Sequence, residues 1–115
     1  MAYKDLRQYL KRLEEEGELT HVKAEVDWDL EIGGISRRAI DRRSGALLFH
    51  NIKGYPPEYR VLSNPLGPGN PIHALFCLAL DQPKDTPILE LINWFARKTN
   101  EYIRPIIVDS APCKE

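Results

Sequence analysis

The sequence predicts a single α+β domain, in which a small mixed sheet packs with about four helices. Its 115 residues are a typical length for one domain with one hydrophobic core. Helical and strand-like patterns follow one another without the regular alternation of a doubly wound sheet. A composition of 43% hydrophobic and 29% charged residues is ordinary for a globular chain. A chain of this length can form a core without disulfides or a structural metal.

A helix and then a strand are predicted at the start of the chain. Apolar side chains recur at helical spacing at Leu6, Tyr9, Leu10 and Leu13. Asp5 suits the positive end of the helix dipole, and Gly17 is a typical helix stop. Residues 19–26 then alternate between apolar and polar side chains, which is the pattern of a half-buried strand.

A second helix is predicted to extend to about Arg43. Either Asp27 or Asp29 has the side chain of a helix cap, and Gly45 follows as the expected stop. Glycines at 33 and 34 each weaken this helix by about 1 kcal/mol relative to alanine, so packing must stabilise it. The stripe predicted to be buried consists of Ile32, Ile35, Ala39 and Ile40.

Two short strands and a breaker-rich loop are predicted next. Residues 46–49 are a short apolar run, which is typical of a central strand. The two prolines within residues 54–57 indicate a turn, and residues 59–62 form a further predicted strand. Residues 64–71 are the segment richest in glycine and proline, so they are predicted to be a loop.

Two helices and a final strand complete the predicted fold. Pro71 suits the first position of a helix capped by Asn70 and extending to about Leu80. Thr86 and Pro87 repeat this arrangement for a helix that extends to about residue 98. This second helix is predicted to pack on the core through four buried side chains, Ile88, Leu91, Ile92 and Phe95. The β-branched run 106–108 predicts a last strand.

The charge balance and the hydrophobic pattern exclude several classes of protein. Sixteen Lys and Arg residues nearly cancel 17 Asp and Glu, and the net charge of −1 argues against a nucleic-acid partner. The longest apolar run, residues 74–80, is far shorter than the ~20 residues of a membrane span. Residues 1–13 have no hydrophobic leader pattern, and two cysteines are few for a secreted scaffold. We therefore expect a cytoplasmic protein with no membrane partner.

Two motifs suggest a ligand site, but each has a simpler structural interpretation. Gly67, Pro68 and Gly69 resemble a phosphate-binding loop, yet nearby prolines remove backbone donors and no Gly-Lys-Ser follows, so a rigid turn is favoured. His73 and Cys77 lie four residues apart and would share one helix face. Two ligands do not make a zinc site, and His21 and His50 would have to come from distant strands. A capped helix with a buried cysteine is the favoured interpretation.

Two charged clusters are also better explained by helix ends than by chemistry. A basic cluster near the end of the second predicted helix suits the negative end of the helix dipole. A binding patch for anions would be expected in a more basic domain. The cluster contains Arg37, Arg38, Arg42 and Arg43. The acidic run 14–16 with Glu18 is expected to be a solvated helix end, where nothing would raise a carboxyl pKa for acid–base work.

No catalytic, cofactor-binding or metal-binding residue is assigned from the sequence. No serine has the G-x-S-x-G context of a nucleophile, and Cys113 follows a proline without an evident base. A small metal or nucleotide binder would need His73 with Cys77, or the Gly67–Gly69 loop, to form a complete site. The sequence thus predicts a domain that cannot perform chemistry alone.

Tyr3–Leu10, Gly17–Leu19 and Glu25–Ile32 follow one another at the start of the chain. In this order, these segments resemble the opening of the UbiD-like decarboxylase family. Ala46–Gly54 resembles its next landmark, a strand followed by an N-x-K-G turn, and Val108–Glu115 resembles the segment leading into its central cofactor domain. The likeness covers nearly the whole chain, from Tyr3 to Glu115. Each segment alone is weak, whereas together in this order they are specific.

The resemblance implies that residues 1–115 are the N-terminal domain of a longer carboxy-lyase, without its central and C-terminal domains. The family catalyses reversible, non-oxidative decarboxylation of aromatic or α,β-unsaturated acids with prenylated FMN, manganese and potassium. Its Arg and Glu residues for proton chemistry, and its Asn, His and Glu metal ligands, lie in the central domain. We therefore expect no cofactor on this chain itself. The expected partner is the remainder of the enzyme.

Two further expectations follow from the resemblance. Residues 63–80 depart from the family, since they are Pro-rich and lack arginine, so no substrate subfamily is assigned. A leading domain without its central domain should expose apolar surface, and residues 106–113 are the expected part of it. Through this segment the chain would self-associate, or would add a strand to the sheet edge of a neighbour. The rival hypothesis is a free-standing interaction or regulatory module that retains this domain. A stop codon directly after Glu115 would favour that module, and an open frame would favour the enzyme.

Overall fold

The fold is α+β, as predicted, and the computed structural model describes residues 3–112. Four helices and three strands succeed one another, namely α1 (Leu6–Glu15), β1 (Leu19–Val22), α2 (Glu31–Asp41), β2 (Ala46–Phe49), β3 (Val61–Ser63), α3 (Ala74–Ala79) and α4 (Ile88–Lys98). The strands form one mixed sheet in the order β1–β2–β3. No helix of residues 3–112 has the length and apolarity needed to cross a membrane.

Strand β2 is the centre of the sheet, as its apolar run predicts. It is parallel to β1, with Leu19 opposite Ala46, and antiparallel to β3, with Leu47 opposite Ser63. All four residues of β2 are buried. The strand predicted over residues 19–26 ends at Val22, and the pairing resumes only as an isolated bridge between Val26 and Ile52.

Two apolar clusters cover the two faces of β2. One joins α1, α3 and the start of β2 through Tyr9, Leu13, Ala46, Ala74, Leu75 and Leu78. The other lies between α2 and the opposite face of β2, and it contains Val26, Ala39, Leu47, Phe49 and Ile52. Alternate β2 side chains point to opposite faces, so this short strand belongs to both clusters. The fold thus has three layers, α1 with α3, the sheet, and α2, and no α4 residue belongs to either cluster.

Both termini of helix α1 are formed by the residues that the sequence indicates. Asp5 accepts a hydrogen bond from the backbone N–H of Gln8, which satisfies one free donor of the first turn. Gly17 has φ of +72°, and the N–H of Glu18 bonds back to the carbonyl of Leu13 at 2.8 Å. These are the features of a Schellman motif, in which a glycine adopts the left-handed conformation at low energy.

Helix α2 begins and ends differently from its prediction. Neither predicted aspartate caps it, because Asp27 Oδ1 accepts from the N–H of Asp29 in the turn that precedes the helix. At the other end the left-handed residue is Arg43, with φ of +54°, and the N–H of Ser44 bonds to the carbonyl of Ala39. The helix therefore stops at Asp41, and Gly45 is not its stop signal.

The structure corrects three predictions in the last third of the chain. Asn70 and Pro71 do not start a helix: their peptide bond is cis, and α3 begins only at Ala74. Helix α4 begins at Ile88, and the Thr86 hydroxyl donates to the carbonyl of Pro83 instead of capping that helix. Residues 106–108 form no strand, because the stretch that follows α4 is exposed and pairs with no strand in the described residues.

Candidate functional site

The Gly67–Gly69 loop is a rigid turn, as favoured from the sequence. Its backbone donors are used internally: the N–H of Gly67 bonds to the carbonyl of Asn64, and that of Gly69 bonds to the carbonyl of Ile72. A phosphate cradle needs several free N–H groups that point towards the anion. This loop does not present them.

Glu18 is buried, and the prediction of a fully solvated acidic run is wrong for this residue. Its exposed fraction is 5%, because the turn after α1 directs it inward beneath the 67–70 loop. Its carboxylate accepts from the N–H of Asn70 and lies 3.8 Å from Lys84 Nζ. Glu14 and Glu15 are exposed, as predicted. The buried carboxylate is thus a structural anchor with a lysine partner.

His73 and Cys77 share one side of α3, as their spacing predicts, but they do not form a metal centre. Both contact the carbonyl oxygen of Thr86, His73 through Nε2 at 2.9 Å and Cys77 through Sγ at 3.9 Å. Burial raises the pKa of the Cys77 thiol. The pair therefore fastens the segment before α4 to α3.

Three titratable side chains, which the sequence did not predict to be close together, lie in contact. His21 Nδ1 is 2.6 Å from His50 Nε2, and His21 Nε2 is 2.6 Å from Glu14 Oε1. The planes of the two imidazole rings are 28° apart and their centroids 4.9 Å apart, so the rings meet edge to edge through these nitrogens. Parallel pairing of β1 with β2 brings the histidines together, since His50 directly follows β2. The sequence signal was weak, because the two positions are 29 residues apart.

The arrangement of potential ligands bears on metal and flavin binding. Residues 3–112 contain no group of three or more His, Cys, Asp or Glu side chains placed to hold a metal ion. The glycine loop offers no phosphate cradle. The expectation that this chain binds no cofactor stays a prediction.

The basic cluster lies at the carboxyl end of α2, as predicted. Arg37 Nε is 3.3 Å from Asp41 Oδ1, one turn further along the exposed side. Arg38 and Arg42 line a shallow surface cavity of about 410 Å³ beside Thr20 and Leu47. Cations in this position offset the negative end of the helix dipole, so the cluster needs no ligand to explain it.

Two of the family-like segments meet in space. Val26 and Ile52 form the isolated bridge between them, and Lys53 Nζ lies 3.0 Å from Asp27 Oδ2. A hydrogen bond from the N–H of Asp29, and then the bond from Lys53, lower the pKa of the Asp27 carboxyl. The Glu25–Ile32 and Ala46–Gly54 landmarks therefore form one structural unit around a surface ion pair.

An aromatic pocket next to this unit was not foreseen. Its volume is about 250 Å³, and its lining residues are Trp28, Ile52, Tyr55, Tyr59, Arg60 and Val61. Ile52 is buried, whereas the three aromatic rings are more than half exposed. The Gly54–Pro57 turn places the tyrosine rings 5.8 Å apart. Sequence periodicity gives no signal for such a pocket, because a loop forms most of it.

Helix α4 exposes most of the stripe that was predicted to be buried. Leu91 is fully buried, but Ile88, Ile92 and Phe95 are 47%, 54% and 45% exposed. Phe95 contacts Phe76 of α3 with ring centroids 6.5 Å apart, and Phe76 is itself 40% exposed. These four side chains, Phe76, Ile88, Ile92 and Phe95, are referred to below as the α4 face.

The chain matches a known family over most of its length. Residues 10–94 match the model of the 3-octaprenyl-4-hydroxybenzoate carboxy-lyase N-terminal domain, UbiD_N. Phenolic acid decarboxylase of Bacillus subtilis (strain 168) is 39% identical over 108 residues, which cover 92% of this chain and 22% of that protein. Ferulic acid decarboxylase 1 of Candida dubliniensis is 34% identical, over 95% of this chain and 24% of the relative.

Solved structures show the same fold. The closed form of Sedimentibacter hydroxybenzoicus vanillic acid decarboxylase superposes with a TM-score of 0.81 and 33% identity, over 100% of this chain and 24% of that one. Its open form superposes with a TM-score of 0.76, over 85% and 20%. The chain thus spans about a quarter of the length of the proteins it matches. The resemblance drawn from the sequence is confirmed: this chain belongs to the UbiD family of carboxy-lyases, as an N-terminal domain of that family.

Proposed function

We propose that this chain is the non-catalytic N-terminal scaffold of a larger decarboxylase that acts on aromatic carboxylic acids. The named relatives act on phenolic, ferulic and vanillic acids, all of which carry a carboxyl group on or conjugated to an aromatic ring. Such an enzyme releases CO₂ and replaces the carboxyl group with a proton, without net oxidation. We propose that prenylated FMN, manganese and potassium act in the remainder of the enzyme, and that the whole is cytoplasmic.

The α4 face carries this proposal. Leu91 anchors the helix, yet the three neighbouring apolar residues of the stripe remain about half exposed. A stripe at this spacing normally lies against another element, and exposing it to water is unfavourable by ~25 cal/mol for each Å² of apolar surface. Phe76 of α3, which contacts Phe95, is itself 40% exposed and leaves the stripe open to solvent. An uncovered apolar stripe of this kind is expected on a helix that packs against another domain.

The occupant that we propose for the α4 face is the rest of the same enzyme. The relatives continue for about three quarters of their length outside the matched part. Helix α4 is also the last helix of the described residues, so the polypeptide of a longer homologue would continue directly beside this face. After α4, Ile103, Ile106 and Ile107 are each more than 85% exposed and extend the apolar surface.

Substitutions that place charge on opposite sides of α4 test this docking. Ile92→Glu with Phe95→Glu places charge on the α4 face, whereas Asn93→Glu places one on the polar side of the same helix and serves as the control. In the 115-residue chain, the double variant should keep the far-UV dichroism and bind less of a hydrophobic dye. In the polypeptide that continues past Glu115, it should reduce decarboxylation and expose the domain junction to protease. Unchanged dye binding and activity would contradict the docking proposal.

Three further measurements separate the scaffold from its alternatives. The intact mass of the polypeptide that carries these residues in cells distinguishes a large enzyme from the free-standing module. Sedimentation of the 115-residue chain tests the proposed self-association through residues 106–113, and a monomer at high concentration would contradict it. Release of CO₂ from an aromatic acid by the purified short chain, abolished by changing one of its residues, would contradict the non-catalytic role.

A further inference from the structure

A chain of three titratable side chains connects α1, β1 and the end of β2. Glu14 lies in the last turn of α1, His21 in β1, and His50 directly after β2. Both contacts, Glu14 Oε1 to His21 Nε2 and His21 Nδ1 to His50 Nε2, measure 2.6 Å. Because each contact crosses between elements, the protonation state of the histidines determines how these elements are joined.

The positions of the protons follow from the partners. An ionised carboxylate only accepts hydrogen bonds, so His21 Nε2 must donate to Glu14. A neutral imidazole carries one N–H, so His21 Nδ1 must then accept, and His50 Nε2 must donate to it. One added proton is also accommodated: a cationic His21 donates from both nitrogens, while His50 shifts its own proton to Nδ1 and accepts through Nε2.

A second proton cannot be accommodated in the same arrangement. Two imidazolium rings would direct N–H groups at each other across 2.6 Å, with no acceptor between them. Burial of His50, followed by the positive charges of His21, Arg60 and Lys23, lowers the pKa of His50. Among residues 3–112, Glu14 is the acidic side chain within ion-pair distance of the pair, and its contact is with His21. The second protonation therefore breaks the contact between the histidines.

We propose that Glu14, His21 and His50 form a pH-operated clasp that fastens the last turn of α1 to the sheet edge and opens on double protonation. This inference does not depend on the proposed decarboxylase function, because it concerns contacts within the 115-residue chain. The clasp is closed as long as the two rings together carry at most one added proton. At acid pH the rings separate and the end of α1 loses its tether to β1 and β2.

Nuclear magnetic resonance of the imidazole nitrogens tests the closed state. At neutral pH, His21 should carry its proton on Nε2 and His50 should carry its proton on Nε2. His50 should also titrate at lower pH than it does in a His21→Ala variant. Observation of His21 protonated on Nδ1 in the neutral state, or equal His50 midpoints in both proteins, would overturn the proposal.

Amide hydrogen exchange tests the opening. Acidification should reduce protection of the amides of residues 16–18 by about tenfold beyond the intrinsic pH effect, the scale of one lost charge-assisted hydrogen bond. His50→Gln keeps an N–H donor for His21 without a second titrating ring, so it should abolish this acid-induced loss. His73→Gln, outside the clasp, should leave the loss unchanged. An identical loss in the parent chain and in His50→Gln would refute the clasp.

Discussion

Gly69 lies directly against the buried carboxylate of Glu18. A Cβ atom at position 69 would stand 2.5 Å from Glu18 Oε2 and would also collide with Leu75 Cδ1. Both neighbours are held in the core, since Glu18 is 5% exposed and Leu75 is fully buried. The 67–70 loop can therefore cross Glu18 at this distance only because residue 69 has no side chain.

We expect Gly69→Ala to destabilise the fold by about 1–3 kcal/mol, because the added methyl group must displace Glu18 or Leu75 from packed positions. Gly34→Ala is the matched control, since a Cβ there has no neighbour within 4 Å and the residue lies in helix α2. It should stabilise the fold by about 1 kcal/mol through helix propensity. Urea unfolding of the three proteins measures both changes, and equal midpoints for Gly69→Ala and the parent chain would contradict the packing argument.

Arg43 stores backbone strain at the end of α2. Its φ of +54° is the left-handed conformation, which costs an L-residue with a side chain about 1–2 kcal/mol. We expect Arg43→Gly to stabilise the fold by about 0.5–1 kcal/mol, after subtraction of the larger entropy of glycine in the unfolded chain.

Arg42→Gly is the control for this prediction, because residue 42 has φ of −92° and gains nothing from glycine. That variant should lower the free energy of unfolding by about 0.5–1 kcal/mol. Thermal unfolding followed by circular dichroism compares the two. If both variants lose stability equally, the left-handed residue is not the source of strain.

The parts of the fold that depend on local sequence were predictable. Helix α1, its Gly17 stop and the central strand β2 follow from periodicity and from one glycine, and all three are confirmed. The end of α2 was not predictable, because Arg43 takes the left-handed position that ends the helix, although Gly45 two residues later also has a positive φ, of +74°. Capping by Asp27 or Asp29 failed for a related reason: a tertiary contact with Lys53 and the preceding turn occupies the Asp27 carboxylate.

The parts that depend on distant residues were not predictable. Burial of Glu18 needs the 67–70 loop above it, and the contact of His21 with His50 needs the parallel register of β1 with β2. The apolar stripe of α4 has the spacing of a helix face that packs against another surface, and the sequence identifies that face correctly. No sequence rule identifies whether that surface belongs to this domain. The predicted strand over residues 106–108 failed because β-branched residues alone provide no partner strand.

Tyr9 predicts a loss of stability at alkaline pH. Its hydroxyl donates to the carbonyls of Pro65 and Leu75, and burial, followed by Tyr3, raises its pKa to about 12. The folded state therefore keeps the phenol proton in a range where an unfolded tyrosine, with a pKa near 10, loses it. The stabilisation is complete below pH 10 and declines as the pH rises towards about 12.

Tyr9→Phe isolates this contribution. The variant should lose about 1 kcal/mol at neutral pH, because the two carbonyls lose a buried donor. The difference from the parent chain should shrink between pH 10 and 12, since phenylalanine does not ionise. Urea unfolding at neutral and alkaline pH measures it. A difference that stays constant up to pH 12 would contradict the raised pKa of Tyr9.

Cys77 should react slowly with thiol reagents in the folded chain. Its side chain is fully buried on α3, and burial raises the pKa of the thiol, so little thiolate is present at neutral pH. The Cys113→Ser variant leaves Cys77 as the one remaining cysteine. Alkylation of this variant, followed by mass spectrometry, should be at least about 100-fold slower than in denaturant, since reaction requires an opening of the α3 region.

His73→Ala provides the sharper comparison for Cys77. His73 bonds to the same Thr86 carbonyl that lies 3.9 Å from Cys77 Sγ, so its loss should loosen the cover over the thiol. Alkylation of Cys77 should then accelerate several-fold without global unfolding. His50→Ala is the control, because His50 follows β2 and contacts His21, so this variant should leave the alkylation rate unchanged. Equal acceleration by both histidine variants would show that Cys77 reacts through global unfolding, and that the contacts to Thr86 do not protect it.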